Sequence, residues 1–125
     1  MNKVEVKVYE TDIKNLIPTE NNPRQISKKE FDKLKQSLRD FPEMKEIREV
    51  VVDEENRILG GHQRIKALKA IGEQRVIVKQ VFGLSEEQKK EFIIKDNIAN
   101  GDWDTDILAN EWDKEKLEEW GLDLG

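Results

Sequence analysis

The sequence lacks cysteine entirely, and this absence removes several kinds of chemistry at once. Disulfides, thiolate zinc sites and thiol nucleophiles all require cysteine. The single histidine, His62, has no second histidine or cysteine with which to hold a transition metal. The chain also lacks an apolar run of membrane-spanning length, and its first residues, MNKVEVKVYE, contain no apolar stretch typical of a signal peptide. We therefore expect a cytoplasmic protein that does not contact a membrane.

Charge of one sign is concentrated in parts of the chain rather than spread over it. The 125 residues carry a net charge of −5, with 39% charged and 36% hydrophobic residues. Residues 100–125 contain nine acidic residues and two lysines, whereas Arg57–Gln80 contains six basic residues and one acidic residue. A negative overall charge argues against a protein that coats nucleic acid, but the basic stretch permits an anion-binding site.

The pattern of apolar and turn-forming residues predicts a small α+β domain with one modest core. Serines followed three residues later by Glu or Gln mark two helix starts, and glycines mark turns. The predicted order is a half-buried strand through Val4, Val6 and Val8, a helix capped by Ser27, a hairpin of Glu49–Asp53 and Arg57–Leu59, a helix that ends at Gly72, a strand Arg75–Phe82, and a helix from Ser85 to about Asn97.

Residues 101–125 differ from the rest of the chain. They contain all three tryptophans together with the acidic surplus. Their pattern predicts short helices that pack on residues 1–100 or lead to a further domain. The acidic surroundings favour tryptophans that anchor a core or contact a partner over tryptophans that stack on bases. The spacing of Asp102, Asp104 and Asp106 resembles the start of a calcium loop, but Ile107 replaces the required glycine and Asp113 the required glutamate. We therefore exclude that loop.

The paired glycines Gly60 and Gly61 stand between a predicted strand and a predicted helix that begins His62-Gln63-Arg64. Backbone N–H groups at a helix N-terminus attract anions, glycines let an anion approach the backbone, and an arginine can grip phosphate oxygens. The same glycines would also serve a turn that needs a positive φ angle. The pattern alone leaves both explanations open.

The segment Leu59–Arg64, LGGHQR, resembles the phosphate-binding turn of the ParB/sulfiredoxin superfamily, in which a strand runs into a glycine-rich turn and a basic helix. Four further segments fall in the family's order over residues 10–100: Asn22–Arg24, Leu34–Leu38, Val50–Asp53 and Asp96–Asn97. The sequence is most similar to ParB-like domains of phages and mobile elements, which are often joined to DNA methyltransferases.

This resemblance implies a single compact ParB/sulfiredoxin-like domain over residues 1–100, with a small mixed sheet and flanking helices. It implies a nucleoside triphosphate, CTP or ATP, as the ligand, and a DNA methyltransferase or another DNA-handling protein as the partner. It does not imply direct DNA binding, because the chain leaves no room for the helix-turn-helix reader of ParB proteins. The implied phosphate-binding residues are Gly60, Gly61, His62, Gln63, Arg64 and Arg24, and the implied magnesium ligands are Asp96 and Asn97.

Three positions depart from the family pattern. His62 stands where sulfiredoxins carry their reactive cysteine, so sulfiredoxin activity is not expected. Arg48-Glu49 replaces the Gln-Pro or Asn-Pro that precedes the central strand in ParB proteins, and Asn100 stands near the place of an arginine. The resemblance therefore implies nucleotide binding more directly than nucleotide hydrolysis.

Two alternative functions remain open from the sequence. The first is a phosphoryl-transfer or nuclease-type enzyme of the same superfamily, in which Glu30, Glu43 or His62 would act as a base. The second is a protein-interaction domain with a vestigial site that uses the acidic, tryptophan-bearing segment from residue 101 onwards.

Overall fold

The structure, a computed structural model, describes residues 3–19, 24–96, 102–103 and 105–122. Within these ranges the strands are β1 (Glu5–Asp12), β2 (Arg24–Gln25), β3 (Val50–Val52), β4 (Ile58–Gly60), β5 (Arg75–Phe82) and β6 (Asp102–Trp103). The helices are α1 (Lys28–Asp40), α2 (Met44–Ile47), α3 (His62–Ala70), α4 (Glu86–Asp96), α5 (Thr105–Glu111) and α6 (Lys114–Glu119), and a 3₁₀ turn covers Ile13–Asn15. None of the described helices is long and apolar enough to span a membrane.

The central sheet has four strands in the order β1-β5-β3-β4. Strand β5 is antiparallel to β1 and parallel to β3, and β3 forms the predicted hairpin with β4. This α+β arrangement, a mixed sheet with helices, confirms the fold class expected from the sequence. Helix α2 and the short pairing of β2 with β6 were not predicted, because each involves too few residues to produce a periodic pattern.

The main core lies between one face of the sheet and helices α1 and α3. Ser27 caps α1 by accepting a hydrogen bond from the backbone N–H of Glu30 at 3.1 Å, as predicted. Each fully buried aliphatic side chain contributes roughly 1.5–3 kcal/mol of transfer free energy. The buried members are Ile13, Leu16, Leu38, Val50, Val52, Ile58, Ile65, Ala67, Leu68, Val76 and Val78.

The prediction that Val4, Val6 and Val8 form the buried side of β1 is wrong. These side chains are 46%, 54% and 56% exposed, respectively. Instead Tyr9, which points to the other face, packs against the core, and its hydroxyl donates a hydrogen bond to Asn56 Oδ1 at 2.8 Å. Alternation along a strand shows that one face is apolar, but it does not show whether another element covers that face.

A second, smaller hydrophobic cluster joins α4 to the helices that follow it, so the expectation of one core is also wrong. Trp112 and Trp120 pack against its edge, and Lys90 Nζ lies 5.7 Å from the centre of the Trp112 ring. The described part of the acidic segment is thus anchored to α4 by apolar contacts. The buried members are Ile94, Leu108, Leu117 and Leu122.

We predict that Leu117→Ala lowers the free energy of unfolding by about 2–5 kcal/mol, because Leu117 is fully buried in this cluster. Glu118→Ala, at the exposed neighbouring position, serves as the matched control and should change it by less than about 0.5 kcal/mol. Urea denaturation followed by circular dichroism measures both. Equal, small effects would contradict packing of α6 on α4.

Candidate functional site

The predicted glycine-rich turn connects the end of β4 to the start of α3. Gly61 is the N-cap residue of α3 and adopts a left-handed backbone with φ of 96°, and Ile65 N donates to Gly61 O at 2.9 Å. The positive-φ explanation of this glycine is therefore confirmed. The backbone N–H groups of the first helical turn, His62 to Arg64, come before the first hydrogen bond of α3, and they carry the positive end of its dipole.

Gly60 has a different structural role, which brings α4 to the same turn. A Cβ atom at Gly60 would lie 3.1 Å from Asp96 Oδ2 and 3.3 Å from Phe92 Cε1. The absence of a side chain therefore lets the end of α4 approach closely. As a result Asp96, which the sequence assigned to the site from a distant segment, lies against the turn.

Arg64 extends over the turn and contacts the start of β3. Its Nη2 donates a hydrogen bond to Glu49 O at 3.1 Å and lies 2.8 Å from the position that a Cβ atom on Gly61 would take. The neighbouring Gln63 is buried within α3. A surface ligand would therefore meet the backbone N–H of Gln63 rather than its amide side chain.

His62 contacts the loop that follows the 3₁₀ turn. The backbone N–H of Thr19 donates to His62 Nε2 at 3.3 Å, and Thr19 Oγ1 donates to Ile58 O. Ile58 N in turn donates to Ile17 O at 2.8 Å, so this loop runs alongside β4. Because Nε2 acts as an acceptor, this contact requires the imidazole proton to be on Nδ1 when His62 is neutral.

Two of the predicted site residues are not fully described. The backbone of Arg24 pairs with Trp103 in the β2–β6 ladder, but its side chain is outside the description, and so is the whole of Asn97. The described residues contain no group of three His, Cys, Asp or Glu side chains that could hold a metal. Magnesium is commonly held by one or two carboxylates together with ligand phosphates, which the exposed carboxylate of Asp96 fits.

The two glutamates considered as catalytic bases serve other roles or lie at the surface. Glu30 Oε1 accepts a hydrogen bond from Ser27 Oγ at 3.2 Å, as part of the cap of α1. Glu43 is exposed and directly precedes α2. These positions give no support to either side chain as a base.

A buried ion-pair cluster between the β3–β4 hairpin and α4 was missed by the sequence analysis. Asp53 is fully buried and Lys89 is nearly so. Lys89 Nζ lies 3.1 Å from Asp53 Oδ2, 2.6 Å from Glu54 Oε1 and 3.2 Å from Glu86 Oε1. Arg57 Nε lies 2.8 Å from the same oxygen of Asp53. The stretch Asp53–Asn56 reads as an exposed polar turn, and only its position directly after three valines hinted that Asp53 could face inward.

The cluster keeps both central groups charged. Burial by itself raises the pKa of Asp53, but hydrogen bonds from Arg57, Lys89 and Glu55 hold it below its usual value. Burial likewise lowers the pKa of Lys89, and its hydrogen bonds to carboxylates raise it above the ordinary value. The charged pair therefore ties the β3–β4 hairpin to α4, the helix that carries Asp96.

A cleft of about 420 Å³ opens beside this cluster. It is bounded by the loop at Thr19, the hairpin, α4 and α5, and it includes Lys90 and Trp112. Thr19 connects the cleft to the glycine-rich turn through its contact with His62.

A mixed sheet whose strand runs through a glycine turn into α3, with the end of α4 against that turn, defines a ParB-type domain. The family described as ParB N-terminal domain matches residues 1–98, and the chain belongs to this family. No curated protein matches the chain.

Solved structures of ParB proteins share the fold. The C-terminally truncated chromosome-partitioning protein ParB from Caulobacter crescentus, complexed with CTP-γ-S, has a TM-score of 0.65 and 18% identity, covering 84% of this chain and 64% of that one. Two structures of a pNOB8-like ParB N-domain have TM-scores of 0.58 and 0.51 and 16% identity, covering 76% of this chain and 36% and 34% of theirs. The chain thus spans between a third and two thirds of the length of these proteins.

We predict that alanine is tolerated less well at Gly61 than at Gly72. Both glycines have positive φ, but a Cβ at Gly72 meets open space, whereas one at Gly61 would lie 3.2 Å from Cγ2 of the buried Val50 and would also displace the guanidinium of Arg64. Gly72→Ala should cost about 1 kcal/mol of stability from backbone strain alone, and Gly61→Ala about 2–3 kcal/mol. Thermal unfolding measures both. Equal losses would contradict the close packing of the turn against Val50.

We predict that Lys89→Met lowers the free energy of unfolding by about 3 kcal/mol, because Asp53 remains buried without its lysine. Lys66→Met makes the same change at an exposed position of α3 and should cost less than about 0.5 kcal/mol. Urea denaturation compares the two variants. A loss at Lys89 no larger than that at Lys66 would contradict the structural role of the cluster.

Proposed function

We propose that the chain binds a nucleoside triphosphate, CTP or ATP, with its phosphates at the turn Gly60–Arg64, and that it acts as a regulatory module of a DNA-handling system. The observation that carries the proposal is the position of Asp96 Oδ2, 3.1 Å from where a Cβ atom on Gly60 would lie. It unites the two segments, far apart in sequence, that the family resemblance assigns to one nucleotide site.

The phosphate contacts come from three sources. The backbone N–H groups at the start of α3 and the positive end of its dipole attract anions. Gly61 is partly exposed and leads into these N–H groups, whereas Gly60 is buried and its lack of a side chain lets Asp96 approach the turn. Arg64 adds a cation directly over the turn, where its contact with Glu49 O orients it. Arg24 supplies a second cation from the segment that follows the Thr19 loop.

Magnesium would accompany the nucleotide. It would neutralise phosphate charge and hold the phosphate oxygens in a fixed arrangement. Asp96 offers a carboxylate at the edge of the turn, and Asn97 offers an amide oxygen one residue later. In this arrangement the protein supplies one charged ligand to the metal, and phosphates and water supply the remaining ones.

Comparison with a solved relative supports the choice of a nucleotide as the ligand. A solved relative of the same fold, a chromosome-partitioning protein, was crystallised with CTP-γ-S. A DNA methyltransferase or another DNA-handling protein is the proposed partner. Direct DNA binding is not proposed for this domain, because its overall charge is negative.

The geometry favours binding over catalysis. His62 Nε2 already accepts a hydrogen bond from Thr19, and Glu30 serves the cap of α1. A purely protein-interacting role for the acidic segment is favoured less, because Leu117 and Leu108 are buried against α4 as part of the fold.

We predict that calorimetric titration with CTP or ATP in the presence of magnesium gives saturable binding, and that the amide NMR signals of Gly60–Arg64 shift. Arg24→Gln should weaken the affinity by about tenfold or more, because it removes a charge-assisted hydrogen bond to phosphate. Asp96→Asn should remove most of the magnesium dependence.

The matched control is Arg39→Gln, which makes the same change at an exposed position near the end of α1 and should leave the affinity unchanged. Absence of binding for both nucleotides at millimolar concentration would overturn the proposal. Phosphate release, assayed in parallel with Arg24→Gln as the reference, would indicate an enzyme instead.

A further inference from the structure

One face of β1, together with the residue before it, carries a row of exposed valines. Among the described residues six large hydrophobic side chains are exposed, and three of them, Val4, Val6 and Val8, lie on this face. Val81 and Ile77 on the neighbouring strand β5 lie on the same face and are only partly buried. Gly83 directly follows β5, and a Cβ atom there would lie 2.6 Å from Lys3 O. The residues before β1 therefore stay beside the end of β5 as far as Lys3. The valine stripe is therefore part of an extended, regular strand.

The outer side of this strand is an edge of the sheet. One side of β1 pairs with β5 along eight residues, and among the described residues no strand pairs with its other side. Every second residue of an antiparallel strand directs its N–H and C=O groups away from the paired neighbour. Such an edge is a template for another strand.

The charges along β1 divide into two groups. Glu10 and Asp12 lie 3.1 Å and 2.7 Å from nitrogens of Arg75 on β5 and are neutralised within the chain. Glu5 and Lys7 are exposed, and the described ranges contain no ion pair for either one. The half of β1 that carries the exposed valines thus also carries one acidic and one basic group that are not neutralised.

We propose that a second copy of this chain pairs with β1, antiparallel and centred on Val6. In this register Glu5 lies opposite Lys7 of the second copy, and Lys7 lies opposite its Glu5. Val6 lies opposite Val6, and Val4 opposite Val8, so six valines form one continuous face. Cross-strand pairs of opposite charge and of β-branched residues are the pairs that stabilise antiparallel sheets.

Neighbouring registers with the same two-fold symmetry are disfavoured by charge. Centring the pair on Glu5 places Glu5 opposite Glu5, and centring it on Lys7 places Lys7 opposite Lys7. Centring it on Val8 places Val6 opposite Glu10 and breaks the valine face. Centring it on Val4 pairs Lys3 with Glu5 but leaves Val8 without a partner. The register centred on Val6 is therefore the one that pairs all six valines and both charges, and the contact is closed because the same patch is used by both copies.

The test is the oligomeric state of the whole chain by sedimentation equilibrium over roughly a hundredfold range of concentration, because a ladder this short makes a weak dimer. The wild type should shift with concentration from 14.7 kDa toward twice that mass. Lys7→Glu, which places Glu opposite Glu twice, should weaken the dimer about tenfold. Glu5→Lys should do the same, and the combined Glu5→Lys, Lys7→Glu variant should restore it.

Lys33→Glu is the control, since it makes the same charge change at an exposed position of α1. A circular dichroism spectrum confirms that each variant is folded. A wild type that remains monomeric throughout would overturn the proposal. So would a dimer that survives both single reversals, or a combined variant that stays as weak as they are.

Discussion

The buried contact between Lys89 and Asp53 is the interaction on which the geometry of the site depends. A charge removed from water is costly unless it is paired and hydrogen-bonded, and this pair meets both conditions through Arg57, Glu54 and Glu86. The contact fixes the hairpin to the first half of α4. The second half of the same helix then brings Asp96 to Gly60 and Ile94 to the cluster beneath α5 and α6.

The hydrogen bonds of Lys89 add direction to the apolar contacts of α4. Ile93 and Ile94 are adjacent in sequence and both buried, so they point about 100° apart around the helix and contact different surroundings. Apolar contacts are not directional, so they hold a helix by shape complementarity alone. Hydrogen bonds from Lys89 to three carboxylates require one axial position, and with it one position for Asp96 at the glycine-rich turn.

Local sequence rules predicted those elements whose cause is local. The caps at Ser27 and Ser85, the hairpin after Val50–Val52 and the glycine turn before α3 each depend on a few neighbouring residues, and each is found as predicted. The failures concern long-range packing. The exposure of the β1 valines depends on whether a distant element covers them, and the burial of Asp53 depends on a lysine that lies 36 residues further along the chain.

The glycines of the candidate site have both a structural and a functional explanation. The resemblance named Gly60, Gly61 and Asp96, and the structure brings them together, but it also gives each glycine a structural reason that needs no ligand. A positive φ at Gly61 and the close approach of α4 at Gly60 explain why glycines are required here. Anion binding is the function proposed for the turn that they form. The two explanations are compatible, because the N–H groups of the first turn of α3 precede its first intrahelical hydrogen bond whatever the reason for the glycines.

The strand order places the two proposed activities at opposite sides of the sheet. In β1-β5-β3-β4 the glycine-rich turn follows β4, and the proposed pairing edge is β1. Pairing of two copies through β1 would give eight strands, with the two β4 strands about 34 Å apart at 4.8 Å per strand, before twist is considered. Neither glycine-rich turn would be covered by the other copy, and neither copy would add residues to the turn of the other. Nucleotide binding and self-association are therefore separable properties of the domain, and a paired molecule would present two nucleotide sites facing outward from one continuous sheet.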